Sequence, residues 1–351
     1  MAPIKNKADF HKKLPIKMLR LNHDNPPAEG EGIRYALYQG GSRVGDRAAI
    51  AHNLANLKKW AASAAEHKAQ LMAVGELFLS GYNIWPDLIE DSVLTADEAT
   101  EMIAPICKES NIALIVPYAE RATVDGERQY FDSMVLIDKE GNLLRNYRKT
   151  LLWGDAEKTN WYSGYVNNPE EAYEVNQVNG INVGMLNCYE AEFPELFRIL
   201  ALKGAQLIVI PTAADVGTQE RNGNWSEWAY PDVSRTSIPG SSYSNKCFVS
   251  YVNHSLYEFR PDDTLTMIFL GNSVVADPYG EIMVHAHNAE CLLVTDCVPG
   301  DYWATHPKGQ SDFITDRRPS LFGAMTAMSA TLPDGSVHKY PADPNAAWHK
   351  K

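Results

Sequence analysis

The sequence predicts one large α/β domain, with two sheets in the middle and helices on their outer faces. Apolar segments of strand length alternate with amphipathic helical segments along most of the chain. The 351 residues are 45% hydrophobic and 22% charged, which is ordinary for a globular protein. That length would allow about two average domains. However, no Pro/Ser-rich linker, low-complexity tract or internal repeat divides the sequence, so we expect a single unit.

The first half of the domain begins with a predicted strand at Ile33–Gln39, which Gly40 and Gly41 end. Asp46 is placed to cap the helix that follows. Thr95 and Glu98 form a capping-box pattern for a second helix that runs to about residue 109. Further strands are predicted at residues 69–75, 112–119, 133–138 and 143–148, the last two forming a hairpin.

The second half repeats this alternation. A helix is predicted at residues 194–203, because Pro194 suits a helix start and Gly204 suits the position after its end. Strands are predicted at residues 180–187, 205–210, 247–253, 269–276, 281–286 and 291–296. We therefore expect an N-terminal arm at residues 1–32, a domain at 33–300 and an irregular C-terminal extension at 301–351.

Charge and composition exclude several classes of partner. The net charge is −12, from 32 basic and 44 acidic residues, so a nucleic-acid partner is not expected. No apolar run reaches the roughly 18 residues that span a bilayer, so no membrane partner is expected either. The basic N-terminal arm lacks the apolar core of a secretory signal, although a mitochondrial presequence remains an alternative. Five scattered cysteines suit a reducing compartment, and a cytoplasmic location is predicted.

Three predicted strands carry a reactive side chain at or just after their carboxyl ends. Glu76 follows the strand at 69–75, Lys149 follows the strand at 143–148, and Cys188 follows the strand at 180–187. Ligands of α/β sheets bind at the carboxyl ends of strands, so these three groups are predicted to converge. Metal-binding and phosphate-loop motifs are not found in the sequence, and neither a metal nor a cofactor is expected.

Cys188 has the strongest local context of the five cysteines. It lies between an apolar strand and the helix predicted to begin at Pro194, a strand–turn–helix arrangement typical of an exposed nucleophile. The positive end of that helix is expected to favour the thiolate. The other cysteines are interpreted as small buried hydrophobic residues: Cys107, Cys247, Cys291 and Cys297.

Several motifs resemble those of the nitrilase superfamily of carbon–nitrogen hydrolases. They are Gly-Glu-Leu-Phe-Leu-Ser-Gly-Tyr at 75–82, Tyr-Arg-Lys-Thr-Leu-Leu-Trp at 147–153, Asn-Cys-Tyr-Glu-Ala-Glu-Phe-Pro-Glu at 187–195 and Gly-Ala-Gln-Leu-Ile-Val-Ile-Pro-Thr at 204–212. The resemblance covers roughly residues 33–300 and implies an α-β-β-α sandwich. Two departures are Leu151, where the family often has His, and Glu190, where it usually has Asp.

The resemblance also implies roles for particular residues. Glu76 would be the general base, Cys188 the nucleophile that forms a thioester, and Lys149 with the backbone N–H of Tyr189 the stabilisers of the oxyanion. It further implies a second carboxylate beside the lysine, a supporting carboxylate and residues that line the substrate pocket: Glu157, Glu120, Tyr82, Trp153 and Tyr189.

The expected function is hydrolysis of a small-molecule amide with release of ammonia. Within the family, Tyr189 after the cysteine favours amides or N-carbamoyl compounds over nitriles. A nitrilase, an N-carbamoyl amidohydrolase with the same three residues, and a non-catalytic scaffold remain alternatives. A homodimer or higher homo-oligomer is expected, with the C-terminal extension 301–351 at the interface.

Overall fold

The computed structural model describes residues 16–21, 24–229, 231–302 and 311–349. The helices of these ranges are α1 Arg47–Glu66, α2 Ile89–Ser92, α3 Ala96–Ser110, α4 Gly154–Asn160, α5 Pro194–Leu202, α6 Ser237–Asn245 and α7 Asn345–Trp348. Their strands are β1 Ile16–Arg20, β2 Ile33–Gln39, β3 Leu71–Ala73, β4 Ala113–Val124, β5 Glu127–Ile137, β6 Leu143–Arg148, β7 Asn176–Val178, β8 Ile181–Met185, β9 Leu207–Thr212, β10 Asp215–Gln219, β11 Trp225–Glu227, β12 Phe248–Asn253, β13 Ser255–Phe259, β14 Leu265–Leu270, β15 Val274–Ala276, β16 Ile282–His285, β17 Cys291–Cys297, β18 Ser329–Thr331 and β19 Val337–Lys339.

Two large sheets form the centre of the domain. The first runs in the order β1-β17-β2-β3-β4-β5-β6, and the second in the order β16-β15-β12-β9-β8-β7. In the first sheet β2, β3 and β4 are parallel, and in the second β8, β9 and β12 are parallel. Glu76 follows β3 and Cys188 follows β8 at the carboxyl ends of these parallel strands, whereas Lys149 follows β6, which pairs antiparallel with β5.

Three apolar clusters define the layers. One lies between the sheets and joins side chains such as Ile115 of the first to Val209 of the second. A second packs α1 and α3 on the outer face of the first sheet, with Trp60 among its buried residues. A third packs α5 and α6 on the outer face of the second sheet, around Phe197. The predicted α-β-β-α sandwich is therefore confirmed.

Local sequence explains where the main helices begin. The side chain of Asp46 accepts a hydrogen bond of 2.9 Å from Ala49 N and so caps α1. Thr95 and Glu98 form the predicted capping box at α3, with bonds of 3.1 and 2.7 Å. Pro194 is the first residue of α5, where its missing N–H leaves no helical hydrogen bond unmade.

The strand predicted at residues 269–276 is wrong. Gly271 and Asn272 have φ values of 74° and 61°, which interrupt the extended backbone. The residues before this turn belong to β14, and those after it belong to β15 of the second large sheet. β14 instead pairs in a small sheet of order β11-β10-β14-β13, which the sequence pattern did not predict.

Parts of both terminal regions have defined structure. Within the N-terminal arm, β1 pairs in parallel with β17 at the edge of the first sheet, whereas residues 1–15 lie outside the described ranges. The C-terminal extension contains the β18–β19 hairpin and the short helix α7. None of the helices described here is both long and apolar enough to cross a membrane.

A buried ion pair joins β2 to β17 and yields a stability prediction. Arg34 Nε donates to Asp296 Oδ1 at 2.7 Å, and both side chains are almost fully buried. Asp296→Ala removes this carboxylate from a buried guanidinium, so we expect a loss of about 3–5 kcal/mol in the free energy of unfolding, measured by urea denaturation. The control is Glu109→Ala, which breaks an ion pair with Lys58 whose side chains are 56% and 58% exposed and should cost at most about 1 kcal/mol. Equal losses would contradict the prediction.

Candidate active site

The three strand-end residues of the sequence prediction lie at one edge of the sandwich. Glu76 is three residues beyond β3, Lys149 directly follows β6, and Cys188 is three residues beyond β8. Lys149 Nζ donates to Glu76 Oε1 at 2.5 Å, and both side chains are fully buried. The charges of Glu76 and Lys149 also act on the Cys188 thiol. The structure thus brings the predicted carboxylate, ammonium and thiol together.

The Lys149 ammonium lies among three carboxyl groups. Besides Glu76, it donates to Glu157 Oε1 at 2.9 Å and lies 3.4 Å from Asp132 Oδ2. Burial alone lowers the pKa of Lys149, but Glu157, Glu76 and Asp132 outweigh it and raise that pKa well above its usual value. Lys149 is therefore a permanent cation here. The carboxyl oxygens lie within 4.8 Å of one another, a spacing that suits a cation, and the ammonium is the cation among them.

Asp132 is a member of this group that the sequence analysis missed. It lies within β5, and its Oδ1 accepts a hydrogen bond of 2.9 Å from Asn187 Nδ2, next to Cys188. Its carbonyl oxygen also accepts from the backbone N–H of Lys149 at 2.9 Å. The available signal was an acidic residue directly before the strand predicted at residues 133–138, although an acidic residue is rarely buried unless it is paired.

The charges of this cluster require a proton on one of the carboxyl groups. Three ionised carboxylates and one ammonium would leave two uncompensated buried negative charges, which is very unfavourable. Glu157 uses both oxygens, accepting from Lys149, from Tyr82 Oη at 2.7 Å and from Trp153 N at 2.7 Å. Glu76 Oε2 and Asp132 Oδ2, in contrast, are buried without a hydrogen-bond partner among the described residues. Burial raises the pKa of all three carboxyl groups, so the unpartnered oxygens are what assign the proton to the Glu76–Asp132 pair.

Cys188 lies at a sharp turn, as predicted for an exposed nucleophile. Its φ of 48° is in the left-handed region, and it is the first residue of a short 3-10 helix, Cys188–Glu192. The expectation that the helix beginning at Pro194 favours its thiolate is wrong, because burial and a neighbouring carboxylate dominate the pKa of the thiol. Desolvation and the charge of Glu76 raise the pKa of the Cys188 thiol well above its usual value, although Lys149 and a hydrogen bond from the backbone of Ala213 lower it. The resting group is therefore a thiol.

Glu190 connects the cysteine turn to the lysine strand. Its carboxylate accepts from Asn187 N at 2.7 Å, on one side of Cys188. It also accepts from Thr150 N at 2.7 Å, directly after Lys149, and from Tyr147 Oη at 2.8 Å. A carboxylate with this many donors holds the two backbone segments at a fixed separation. Glu190, which stands where the family usually has Asp, thus connects the backbone around Cys188 to the backbone after Lys149.

The predicted supporting residue Glu120 contacts residues that are adjacent in sequence to members of the cluster. It accepts from Ser133 Oγ at 2.6 Å and pairs with Arg148 at 2.6 Å, so it holds the residues adjacent to Asp132 and Lys149. We find no bond from Glu120 to Lys149 within the described residues.

The residues predicted to line the substrate pocket occupy two places. Tyr82 and Trp153 line a cavity of about 610 Å³ together with Glu157. The ring of Tyr189 instead packs edge-on against Phe193, with ring centroids 5.0 Å apart.

His254 is a second residue that the sequence analysis missed. It is buried at the start of the β12–β13 turn, and its Nε2 lies 2.6 Å from the carbonyl oxygen of Glu76. Burial lowers the pKa of His254 to about 4, so the ring is neutral at pH 7. It stacks on Phe269 with ring centroids 4.6 Å apart. His254 therefore fixes the backbone that carries Glu76.

An α-β-β-α sandwich with a carboxylate, a lysine and a cysteine at one edge defines a class of hydrolase that uses a cysteine. Comparison with known proteins gives the family. The sequence pattern of the carbon-nitrogen hydrolase family matches residues 34–305, and the chain belongs to this family. It is an enzyme of the carbon–nitrogen hydrolase type, and a resemblance to the nitrilase superfamily is confirmed.

Individual relatives agree with this assignment. The chain is 32% identical to the hydrolase in the pqqF 5′ region of Pseudomonas protegens, over 83% of this chain and 90% of that protein. It is 27% identical to an (R)-stereoselective amidase of a Pseudomonas species, over 84% and 94% of the two chains. An amidase from Nesterenkonia sp. has a similar structure, with 28% identity, a TM-score of 0.65 and coverage of 84% and 97%. Another structure of that amidase carries acrylamide added to its active-site cysteine.

The raised pKa of Cys188 predicts how its modification depends on pH. Only the thiolate reacts rapidly, so the rate of modification by methyl methanethiosulfonate should still be rising above pH about 9, beyond the midpoint of a free cysteine near 8.5. Peptide mass spectrometry identifies the modified residue. Glu76→Gln removes a negative charge that raises this pKa, so its profile should shift to lower pH. A midpoint below pH about 8 in the unaltered protein would refute the assignment.

Proposed function

We propose that this protein hydrolyses a small-molecule amide to a carboxylic acid and ammonia through a thioester on Cys188. The observation that carries the proposal is the buried contact of 2.5 Å between Lys149 and Glu76 beside a thiol at a strained turn. A scaffold without catalysis would not need an ammonium and several carboxyl groups buried together, because their desolvation is costly. The relatives named as amidases support the same reaction class.

In the first half of the proposed reaction, the substrate transfers its acyl group to the sulfur of Cys188. With the shared proton on Asp132, the ionised Glu76 takes the proton of the Cys188 thiol as the sulfur attacks the amide carbon. The Lys149 ammonium and the backbone N–H of Tyr189 stabilise the tetrahedral oxyanion. Glu76 then returns the proton to the nitrogen, the C–N bond breaks, and ammonia leaves. Because the resting thiol is protonated, this transfer is an essential part of the step.

In the second half, water releases the acid. Glu76 removes a proton from the water molecule as its oxygen attacks the thioester carbon, and the same oxyanion stabilisers act again. The C–S bond breaks and the proton passes to the departing sulfur, which restores the Cys188 thiol. Glu157 takes no proton in this scheme. It keeps Lys149 in place and is itself held by Tyr82 at 2.7 Å.

An amide substrate is favoured over a nitrile by the same residues. An amide gives an oxyanion directly, and that charge would lie against the permanently cationic Lys149. A nitrile first gives a thioimidate, which must add water before it follows the amide route. An N-carbamoyl compound would use the same residues and remains the second candidate, supported by a relative named N-carbamoylputrescine amidase in Arabidopsis thaliana, which is 26% identical over 81% of this chain.

The test of this function is ammonia release from matched aliphatic amides, nitriles and N-carbamoyl amines. We expect kcat/KM to be highest for an amide. Cys188→Ala should abolish turnover, and Lys149→Gln should cost about 3–4 kcal/mol of transition-state stabilisation. Intact-protein mass spectrometry should detect an acyl adduct on Cys188.

Two controls make the result interpretable. Circular dichroism of Cys188→Ala must match the unaltered protein, since the change is meant to leave the fold intact. Arg145→Gln alters a partly exposed ion pair with Glu174 away from the cluster and should retain turnover. Preference for a nitrile would overturn the amidase assignment. Preference for the N-carbamoyl compound would move the chain to that group of enzymes.

We also propose that the chain forms a homodimer through α5 and the C-terminal extension. Exposed apolar side chains support this: Leu321, Met325 and Met328 are 63%, 58% and 61% exposed, and Leu202 of α5 is 46% exposed. Leu321 and Met325 line a groove against α5, beside Arg198. Large apolar side chains grouped in this way are typical of interfaces. A second copy fits, because a two-fold interface pairs a surface with itself.

Light scattering tests the proposed dimer. We expect about twice the chain mass of 39.1 kDa at micromolar concentration. The double change Leu321→Glu and Met325→Glu should give a monomer, because two charges would be buried at the interface. Leu143→Glu, at a comparably apolar but separate position on β6, should remain dimeric. A monomer in the unaltered protein would exclude this proposal.

A further inference from the structure

The cavity beside Glu157 extends from the proposed reaction centre toward β10. Its volume of about 610 Å³ lies in the range that small-molecule sites occupy. Tyr82 and Met267 line it and also pack against Ala213, the residue whose backbone hydrogen bonds to the Cys188 thiol. The cavity therefore adjoins the reactive cluster through Glu157, which is bonded to Lys149 at 2.9 Å.

Asp215 lies two residues beyond Ala213 and lines the same cavity. It is only 5% exposed. It begins β10 at a bulge, because Asp215 pairs with Phe269 whereas Gly217 pairs with Ile268, leaving Val216 as an extra residue. Bulges of this kind redirect a side chain and occur often beside active sites. The bulge thus accounts for a buried acidic side chain in the lining of this cavity.

The carboxylate of Asp215 has no partner for one of its oxygens. Asp215 Oδ2 is buried without a hydrogen-bond partner, and no ion pair of Asp215 occurs in the described residues. Gln219 Oε1 and Trp228 Nε1 line the same cavity and are also buried without partners. Unpaired buried polar atoms cost free energy, and a ligand that supplies donors to the two oxygens would offset that cost.

The charges around the cavity favour a cation. Of its acidic lining residues, Glu157 and Asp215 are buried, whereas Asp155 and Glu220 are exposed at the rim, where water and salt screen their charge. The basic lining residue is Arg221, whose guanidinium donates to Asn160 Oδ1 at 2.7 Å at the exposed rim. Trp153 and Trp228 add aromatic faces, which attract cations electrostatically.

We propose that this cavity binds the ammonium group of a short linear ω-amino amide, with Asp215 as its ion-pair partner and Gln219 as a second acceptor. The inference rests on the proposed amide hydrolysis, since it places the reacting carbonyl at Cys188. Two residues of chain span at most about 7 Å, which limits the separation of Ala213 and Asp215 and hence the length of the substrate. An ammonium a few carbon atoms from the amide fits this separation.

The ionisation of Asp215 gives the proposal a pH signature. Burial raises the pKa of Asp215 to about 7, and the charge of Glu258 adds to the rise. Below this pH Asp215 is neutral and attracts an ammonium less, whereas an alkylammonium stays charged up to about pH 10. The KM of an ω-amino amide should therefore rise as pH falls through 7. Other titratable groups near Asp215 are Glu258, Glu157, Tyr82, Asp155, Glu220 and Arg221.

The first test compares three amides of similar size on the unaltered protein: 4-aminobutanamide, pentanamide and succinamic acid. They end in an ammonium, a methyl and a carboxylate respectively. We expect kcat/KM for 4-aminobutanamide to exceed that of pentanamide by about tenfold or more, because a charged hydrogen bond is gained. The KM of pentanamide should lack the rise below pH 7. Preference for succinamic acid would assign the site to an anion at Arg221 and overturn the proposal.

The second test uses Asp215→Asn, with Asp155→Asn as the matched control. Both remove one acidic group of the cavity lining, but Asp155 is exposed at the rim. Asp215→Asn should lower the ratio of kcat/KM for 4-aminobutanamide over pentanamide by about tenfold. Asp155→Asn should retain that ratio. A general loss of active enzyme lowers both kcat/KM values of a variant equally and so cancels in their ratio. An unchanged ratio in Asp215→Asn would refute the role of Asp215.

A binding experiment separates this inference from the proposed reaction. In a Cys188→Ala protein, calorimetry measures the affinity for 4-aminobutanamide and for pentanamide without turnover. Tighter binding of the ω-amino amide, lost when Asp215→Asn is added, supports the cation site even if no amide is hydrolysed. Turnover of pentanamide with equal binding of both amides would leave the hydrolase assignment intact and overturn the cation site.

Discussion

The buried ammonium of Lys149 is the interaction on which the arrangement of the proposed active site depends. Lys149 contacts Glu76, Glu157 and Asp132, which come from different parts of the chain and would repel one another without it. Like charges in a low-dielectric interior interact strongly, so the cation fixes the separation of the acids and their protonation together. The positions of β3, β5 and β6 in one sheet bring Glu76, Asp132 and Lys149 together, and α4 adds Glu157.

The sequence predicted those features that depend on local pattern. Strand and helix signals were sufficient for the layered fold, and the strand ends located Glu76, Lys149 and Cys188. Asp132 and His254 were not predicted as site residues, because their roles depend on contacts with residues far away in the sequence, which periodicity does not reveal. The protonation of the Cys188 thiol was not predicted for a related reason: its pKa is set by burial and the surrounding acids, and not by the helix that follows it.

The small sheet is the main part of the architecture that sequence periodicity failed to predict. Its strands are short or irregular, and its hydrogen bonds join β10 to β14, which are separated by about fifty positions of sequence. Pairing over such distances leaves no local signal. This sheet nevertheless carries Asp215 and Gln219, so the part of the fold that the sequence pattern did not predict forms one wall of the cavity beside Glu157. The two large sheets thus position Glu76, Lys149 and Cys188, and the small sheet forms part of the cavity lining.

The place of β17 has a consequence for synthesis of the protein on the ribosome. This strand lies between β1 and β2, although it comes more than 250 residues after them. During translation, the edge of β2 that pairs with β17 therefore lacks its partner strand until nearly the whole domain has been synthesised. Unpaired strand edges promote aggregation. Completion of the first sheet waits for the chain's late residues, which makes early chaperone protection of β2 an expected need of this topology.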